Sequence, residues 1–184
     1  MATDSPHLPA SSRRPLLIVP SDGEPDSRSP GESGVLDLRR FATGDAGAVR
    51  ALDDAAMSAA RARCHATEDV DAIAAADLED GGEFLVGVCD GRVIAMGALR
   101  HVTDAVAELN RMRVHPGFQH RGLGRAILAR LEHRAAEIGY KQLRLDTAVA
   151  LTAAQRFYRS AGYREVGRGQ LAGAEVVYFE KPLA

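Results

Sequence analysis

Cysteine is scarce in this sequence, with Cys64 and Cys89 the only two among 184 residues. Two cysteines do not support a disulfide framework or a structural zinc site, so we expect no metal and free thiols in a reducing cytoplasm. The common phosphate-binding motifs G-x-x-x-x-G-K-[S/T] and G-x-G-x-x-G are both absent. Their absence excludes a P-loop and the dinucleotide-binding fingerprint.

Aromatic residues are missing from the first 34 positions, which hold six of the eight prolines and seven serines. This composition predicts a disordered tail at residues 1–34. The one apolar run of the tail, residues 16–19, lies between Pro15 and Pro20 and is too short for a signal-peptide core or a membrane span. We expect an inert extension, with a short docking motif as the alternative.

Net charge is also lacking in residues 35–184, the remainder of the chain. This part is long enough for one domain with its own core. The tail has three basic and five acidic residues of the 23 and 25 in the chain, so residues 35–184 carry 20 of each sign. We therefore expect neither a nucleic-acid partner nor a membrane partner. Positive charge is local instead, because residues 109–131 contain no acid and five arginines: Arg111, Arg113, Arg121, Arg125 and Arg130.

This arginine-rich stretch has the pattern of a strand, a glycine-bearing turn and a helix. The strand pattern ends at His115-Pro116-Gly117, and a helical apolar face follows with Leu123, Ile127, Leu131, Ala135 and Ile138. The first N–H groups of a helix have no internal partner and attract anions, and glycine lets a phosphate approach the backbone. A phosphate site and a plain strand-to-helix turn are both consistent with these residues.

Two groups of residues resemble signatures of the GCN5-related N-acetyltransferase (GNAT) family. Gln119, Gly122 and Gly124 fit its Q/R-x-x-G-x-G/A motif. About 30 residues later the chain fits A-x-x-[L/F]-Y-x-x-x-G-[F/Y], through Ala154, Phe157, Tyr158, Gly162 and Tyr163. The resemblance covers residues 35–182. Leu151 departs from it, since many members have an asparagine there that helps to hold the cofactor.

The resemblance implies an α+β fold, the GNAT acyl-CoA acyltransferase fold, in a domain at residues 35–184. Its sheet is expected to be mostly antiparallel and twisted, with six to seven strands and about four helices. The order of apolar patterns, β-α-α-β-β-β-α-β-α-β-β, agrees with that layout. One helix is predicted around residues 70–78, and a hairpin turn at Asp90-Gly91.

Other local signals mark the ends of predicted elements. Thr43 or Asp45 could cap the first helix, and Gly97 marks a possible bulge in its strand. Gly162 lies just past the helix that contains Tyr158, as a C-cap glycine should. Two closing strands are expected at residues 163–166 and 176–179.

The resemblance also implies acetyl-CoA as the acyl donor, with no metal. Backbone amides of the glycine loop would hold its pyrophosphate, in a segment made of Gln119, His120, Arg121, Gly122, Leu123, Gly124 and Arg125. Its pantetheine arm would pair with the strand edge at Met112, Arg113 and Val114. In this family a bulge in that strand separates it from its neighbour and supplies the backbone N–H that meets the oxyanion.

Catalysis in this family is a direct attack by the amine, and two residues match its catalytic positions. Tyr158 is the candidate acid, because a phenol of pKa ~10 is protonated at neutral pH. Glu108, 11 residues before Gln119, is the candidate base, with His101, His115 and Asp146 as weaker alternatives. A core tyrosine and a strand glutamate paired with an arginine are the structural alternatives for these two residues.

The predicted function is therefore an acetyl-CoA-dependent N-acetyltransferase that acts on a primary amine, and we favour a small-molecule acceptor. Three alternatives are an acyl-CoA-binding sensor without catalysis, for which Leu151 is the one hint, a protein N-terminal or lysine acetyltransferase, and a non-enzymatic scaffold. The family resemblance is also compatible with a homodimer.

Overall fold

The computed structural model describes residues 17–20, 35–60 and 81–183. These residues form eight strands and three α-helices, with 3₁₀ turns at Thr43–Asp45 and Pro116–Phe118. The strands are β1 Leu17–Pro20, β2 Val35–Arg40, β3 Glu83–Cys89, β4 Arg92–Thr103, β5 Val106–Val114, β6 Gln142–Ala148, β7 Arg164–Leu171 and β8 Ala174–Pro182. The helices are α1 Ala46–Ala60, α2 Leu123–Ile138 and α3 Thr152–Ser160.

All eight strands belong to one sheet in the order β1-β2-β3-β4-β5-β6-β8-β7. Only β1–β2 and β5–β6 are parallel pairs, so the predicted α+β fold with a mostly antiparallel sheet is confirmed. The sheet exceeds the predicted six to seven strands because β1 lies in the stretch expected to be a disordered tail. That expectation is incomplete at these four residues, where the tail's apolar run pairs with the edge of β2. The helix predicted around residues 70–78 lies outside the described residues.

The sheet has a buried cluster on each face. On one face α2 packs on the central strands, and its predicted apolar stripe is confirmed, since Leu123, Ile127, Leu131 and Ala135 are each at most 1% exposed. On the other face α1 packs Val49 and Leu52 against β3 and β4. No helix in the described ranges is long and apolar enough to cross a membrane.

Local turn chemistry follows the sequence closely, with one correction at α1. Asp90 and Gly91 both have positive φ, 49° and 71°, as the predicted hairpin turn requires. Thr43 or Asp45 was expected to cap α1. Instead Ala42 is the N-cap of the turn that precedes α1, and the Asp45 carboxylate accepts a hydrogen bond from the Ala42 N–H at 2.9 Å. Asp45 reaches back because two hydrogen bonds from Arg39, at 2.7 and 2.8 Å, fix its carboxylate.

A β-bulge in β5 opens the centre of the sheet. Opposite β4, residues 110 to 113 of β5 span the same register as residues 96 to 98, so β5 contains one extra residue. Arg111 lies there with φ of 52°, in the left-handed region. On its other side β5 pairs with β6 only as far as Glu108 and Arg144. Beyond this point the two parallel strands separate, as the family resemblance implied.

Gly97 lies on β4 opposite the bulge, where the packing leaves no room for a side chain. A Cβ at Gly97 would be 2.5 Å from Met112 Sδ, 2.8 Å from Ile127 Cγ2 and 3.0 Å from Leu131 Cδ1. The sequence suggested a bulge at Gly97 itself, but the extra residue is in the neighbouring strand. Gly97 makes the bulge possible because Met112 occupies the volume that a side chain would need.

We expect Gly97→Ala to lower the free energy of unfolding by about 1–3 kcal/mol, the usual cost of overpacking a well-packed core. Gly47→Ala is the matched control, because nothing lies within 4 Å of a Cβ at that helical position. The control should be neutral or stabilising by a few tenths of a kcal/mol. Urea unfolding of both variants measures the difference, and equal stabilities would contradict the packing described for Gly97.

Candidate functional site

The segment between β5 and α2 is held by its own hydrogen bonds. His115 begins the 3₁₀ turn, and its Nδ1 accepts a hydrogen bond from the Gly117 N–H at 3.2 Å. Gln119 then turns back, and its Nε2 donates to the carbonyl oxygen of Val114 at 3.3 Å. These two bonds fix the loop against the end of β5. His115 therefore shapes the turn, and Gln119, the first fixed position of the motif, sets the path of the loop.

The loop leads into the start of α2, where the first backbone amides have no partner within the helix. His120 and Gly122 have positive φ, 60° and 85°, which turns the chain sharply into the helix. The Ala126 N–H donates to the Gly122 carbonyl oxygen at 3.0 Å and makes the first helical bond. The amides of residues 123–125 precede it, and the N-cap glycine offers them no side-chain acceptor. This helix end is therefore suited to an anion.

Gly124 lies where three elements meet. A Cβ there would be 3.7 Å from Phe157 Cζ on α3 and 3.7 Å from Val114 Cγ2 at the end of β5. Arg125 strengthens the same junction, because its Nη2 donates to Ser160 Oγ on α3 at 3.2 Å. The two signature segments of the sequence, far apart in the chain, are thus in contact at the helix end.

The open edge of β5 carries the other residues predicted to bind the cofactor. Arg111 and Met112 form the bulge, and Arg113 and Val114 follow where β6 has moved away. The Arg113 side chain points to the α1 face, where its Nε donates to Asp53 Oδ1 at 2.8 Å. Asp53 had no signal in the sequence, since its partner is 60 residues away. It anchors the bulged strand to α1.

Tyr158 lies on α3, with its ring in the buried cluster against the sheet. It is 8% exposed, and its ring is in edge contact with those of Phe157 and Tyr163, at centroid distances of 5.2 and 5.8 Å. Burial raises the pKa of Tyr158 to about 12, while the charge of Arg113 lowers this pKa and that of Asp146 raises it. The phenol is thus protonated at neutral pH, and it lies within electrostatic range of both β5 and β6.

Gln155 is a site residue that the sequence reading missed. It is 7% exposed, and its Nε2 donates to the carbonyl oxygens of Ala148 and Val149 at 3.3 and 2.8 Å. Leu151 is the N-cap of α3 and makes no side-chain cap. Gln155 therefore ties the start of α3, and with it Tyr158, to the end of β6. A polar side chain one helical turn before the tyrosine was the available signal.

Glu108 lies at the last pairing of β5 with β6, with its side chain 15% exposed. One carboxylate oxygen accepts from Arg100 on β4, and the other accepts from Arg144 Nε on β6 at 2.9 Å. This is the paired strand glutamate considered as the structural alternative. Its position beside the opening agrees with the catalytic reading, which stays a prediction.

The three weaker candidates for the base occupy different places. His101 Nδ1 is 3.0 Å from the Tyr140 hydroxyl, which donates to the Gly81 carbonyl oxygen. His115 caps the 3₁₀ turn. Asp146 is the one whose charge acts on Tyr158. Of the alternatives, Asp146 is therefore the carboxylate that the fold brings to the opening.

Neither thiol nor metal chemistry has a site among the described residues. Cys89 is buried and unpaired, and burial is the main cause that raises the pKa of its thiol. No group of three or more His, Cys, Asp and Glu side chains in the described ranges has the arrangement of a metal site. Cys64 lies outside these ranges.

Comparison of the sequence with known proteins gives one family. A sequence model of the acetyltransferase (GNAT) family matches residues 48–163. N-acetylaspartate synthetase of Rattus norvegicus is 35% identical over 88 residues, which are 47% of this chain and 29% of that protein. Aminoglycoside N(6')-acetyltransferase type 1 of Stenotrophomonas maltophilia is 32% identical over 116 residues, 59% of this chain and 71% of that protein. The chain thus spans less than a third of the length of the first of these relatives.

The fold has counterparts among solved structures. An acetyltransferase from Salmonella typhimurium, solved with its cofactor acetyl-CoA, superposes with a TM-score of 0.69. It is 21% identical, and the match covers 81% of this chain and 94% of that one. At this identity the likeness concerns the fold.

Alkaline pH should reveal the buried phenol of Tyr158. Its pKa is about 12 in the folded chain and ~10 in an unfolded chain, so only the unfolded state releases this proton between those values. Below pH 10 the protonated phenol makes its full contribution to the free energy of unfolding. This contribution, about 2–3 kcal/mol in all, is lost as the pH rises toward 12.

Urea unfolding at a series of pH values measures this contribution. The free energy of unfolding should fall more steeply above pH 10 for the wild type than for Tyr158→Phe. Tyr178→Phe, at a phenol on a residue that is 37% exposed, is the control and should follow the wild type. Parallel curves for the wild type and Tyr158→Phe would contradict the assigned burial.

Proposed function

The chain belongs to the acetyltransferase (GNAT) family, and we propose that it is an acetyl-CoA-dependent N-acetyltransferase acting on the primary amine of a small molecule. One observation carries the proposal. The opening between β5 and β6 begins at Glu108, has Tyr158 within electrostatic range, and leads to the free amides of α2. An elongated ligand with phosphates at one end and a reactive group in the sheet fits this arrangement.

The residues present fit acetyl-CoA as the donor. Its pyrophosphate would be held by the amides at the start of α2, within residues 119–125, where the N-cap glycine leaves the helix end uncovered. Its pantetheine arm would pair with the open edge of β5 at Met112–Val114. Acetyl-CoA supplies the activated acetyl group of a thioester when bound. The extra residue of the bulge would turn a backbone N–H away from the ladder, and this N–H would stabilise charge on the acyl oxygen.

Tyr158 would act on the departing sulfur. A phenol with a pKa of about 12 remains protonated and can donate a hydrogen bond. Complete transfer of its proton to a thiolate of pKa ~8.5 would be uphill by about 5 kcal/mol. We therefore assign Tyr158 the role of a donor that stabilises the thiolate while the C–S bond breaks and the C–N bond forms. The proton that ends on the sulfur is then supplied by the attacking amine.

Glu108 would take the proton that the acceptor must lose before its nitrogen attacks. Both of its oxygens accept from guanidinium groups, so one hydrogen bond must open, or a water must relay the proton. Asp146 is the competing carboxylate on the neighbouring strand. Amide variants at the two positions separate them, because each removes one base and keeps its size.

A small acceptor is supported by the names of the relatives and by charge. One relative is an N-acetylaspartate synthetase, and another is an aminoglycoside acetyltransferase. N-acetylaspartate and aminoglycosides are both small molecules. The proposal includes a cytoplasmic setting, which the free thiol of Cys89 supports. The neutral balance of charge in residues 35–184 gives no support to a nucleic-acid or membrane partner. A homodimer is compatible with the proposal.

Calorimetric titration of acetyl-CoA, followed by thiol-release assays over a panel of amines, tests the proposal. We expect binding, and thiol release with at least one class of small amine. Binding without release on small amines, peptide N-termini or lysine peptides would favour a sensor, the reading that Leu151 supports. Failure to bind would show that the loop is only a turn.

Gly124→Trp should abolish acetyl-CoA binding and leave the fold intact, because the indole would cover the free amides of α2. The site has room for a Cβ, so Gly124→Ala should retain the fold and bind more weakly. Gly47→Trp is the control, because nothing lies within 4 Å of a Cβ at that position of α1. Calorimetry measures binding, and circular dichroism checks the fold. Binding of wild-type strength by Gly124→Trp would refute the assigned loop.

Tyr158→Phe and Glu108→Gln should each lower kcat by about 10²-fold or more with a smaller change in KM, because both groups act in the transition state. Tyr163→Phe removes another buried phenol whose ring contacts Tyr158, and it should retain most of kcat. Steady-state kinetics with the best amine of the panel measures kcat and KM for the wild type and the three variants. An unchanged kcat in Tyr158→Phe would show that Tyr158 serves only in packing. An unchanged kcat in Glu108→Gln would show that the ion pairs of Glu108 are purely structural.

A further inference from the structure

Five strands carry a stripe of alternating charge across the sheet face on which α1 lies. In register, Arg100 on β4 is opposite Glu108 on β5, which is opposite Arg144 on β6. Arg144 is in turn opposite Glu180 on β8, which is opposite Arg164 on β7. Side chains of paired residues share a face, so these five form one row, the charge stripe. The row passes the point where β5 and β6 separate.

Beside the stripe, β6 presents a cation and an anion to the same face. Leu143 and Leu145 are buried under α2, so Arg144 and Asp146 point to the opposite face. Two residues along a strand span about 6.6 Å. Arg144 lies at the last pair before the opening, and Asp146 lies within it. The strand therefore places a positive group and a negative group side by side at the reaction centre.

Arg144 has donors beyond those that its partner uses. Its Nε and Nη2 both lie 2.9 Å from Oε2 of Glu108. A guanidinium has five N–H donors, so the edge formed by Nη1 and Nη2 is not taken up by this ion pair. The side chain is 45% exposed. It can therefore bind a second carboxylate without releasing Glu108.

Asp146 lies on β6 beyond its last pair with β5 and has an aromatic neighbour. Its charge raises the pKa of Tyr158, so its carboxylate is within electrostatic range of the phenol. Opposite it on β8 is Tyr178, which shares its face and is 37% exposed. An ammonium group held by Asp146 would thus lie inside the opening between β5 and β6, against the partly exposed ring of Tyr178.

We propose that the acceptor carries a carboxylate next to its reactive amine, as free amino acids do, with Arg144 binding the carboxylate and Asp146 the ammonium group. This inference rests on the proposed acetyltransferase function and specifies its substrate class. The pairing of charges on β6 supports it. An amino acid offers a complementary charge to each side chain of the β6 pair, whereas a polycationic acceptor offers none to Arg144.

The test compares matched substrates with matched variants. Thiol release is measured with the twenty free amino acids, with the carboxamide of the best one, and with an aminoglycoside and a polyamine. The wild type should prefer the amino acid over its carboxamide by about ten- to a hundredfold in kcat/KM, the effect of one charged hydrogen-bonded contact. Arg144→Gln should bring the ratio of kcat/KM for the amino acid to that for its carboxamide close to one, mainly by raising KM for the amino acid.

Controls separate recognition from damage to the fold. Arg144→Lys keeps the charge but loses the planar fork, and it should recover part of the preference. Arg164→Gln removes an arginine at the far end of the same stripe and should leave kcat/KM within about twofold. Asp146→Asn should lower kcat/KM for the amino acid and for its carboxamide alike, because both substrates carry the amine.

Two results would overturn the inference alone. One is acetylation of amines without a carboxylate while no free amino acid is acetylated, which would leave the proposed function standing. The other is a preference for the carboxylate that Arg144→Gln does not change. If acetyl-CoA binds but none of the amines tested gives thiol release, both the inference and the proposed function are refuted.

Discussion

The structure depends on two neighbouring strands that are parallel yet unable to stay paired. One extra residue in β5, accommodated by the positive φ of Arg111, breaks the register with β4 and turns the strand from β6. Gly97 permits this distortion by leaving space for Met112. Every proposed functional group is arranged around the resulting opening. Asp53 and Gln155 then fix the two sides, the first by holding Arg113 and the second by holding the start of α3.

Much of the fold could be predicted because its signals are local. The stripe of α2 repeats at helical spacing, Asp90-Gly91 is a hairpin dipeptide, and Gly162, with φ of 92°, ends α3 as expected. The closing strands were predicted too short, since β7 is exposed along most of its length and alternates weakly. Strand β1 was missed because its short apolar run is stable only against the edge of β2. A composition rule cannot detect such a partner.

The candidate site was predictable where a motif carries the geometry. Gln119, Gly122 and Gly124 act through backbone conformation, so their spacing determined the loop and the helix end. Side chains whose roles come from other strands gave no such signal. Arg144 and Glu108 are 36 residues apart, and Arg113 and Asp53 are 60 apart, so only the register of the sheet brings them together. For this reason an arginine partner for Glu108 could be expected, but the identity of its two partners, Arg100 and Arg144, could not.

The alternating order of the charge stripe has a further consequence for how a ligand meets this surface. Neighbouring charges of opposite sign, one strand apart, cancel at a distance, because strands are about 4.8 Å apart and the Debye length in physiological salt is about 8 Å. Such a row exerts little long-range attraction on a charged ligand approaching from solution. At contact it presents strong fields of either sign within a few ångströms. Discrimination between acceptors on this face therefore resides in the lifetime of the complex rather than in the rate of encounter.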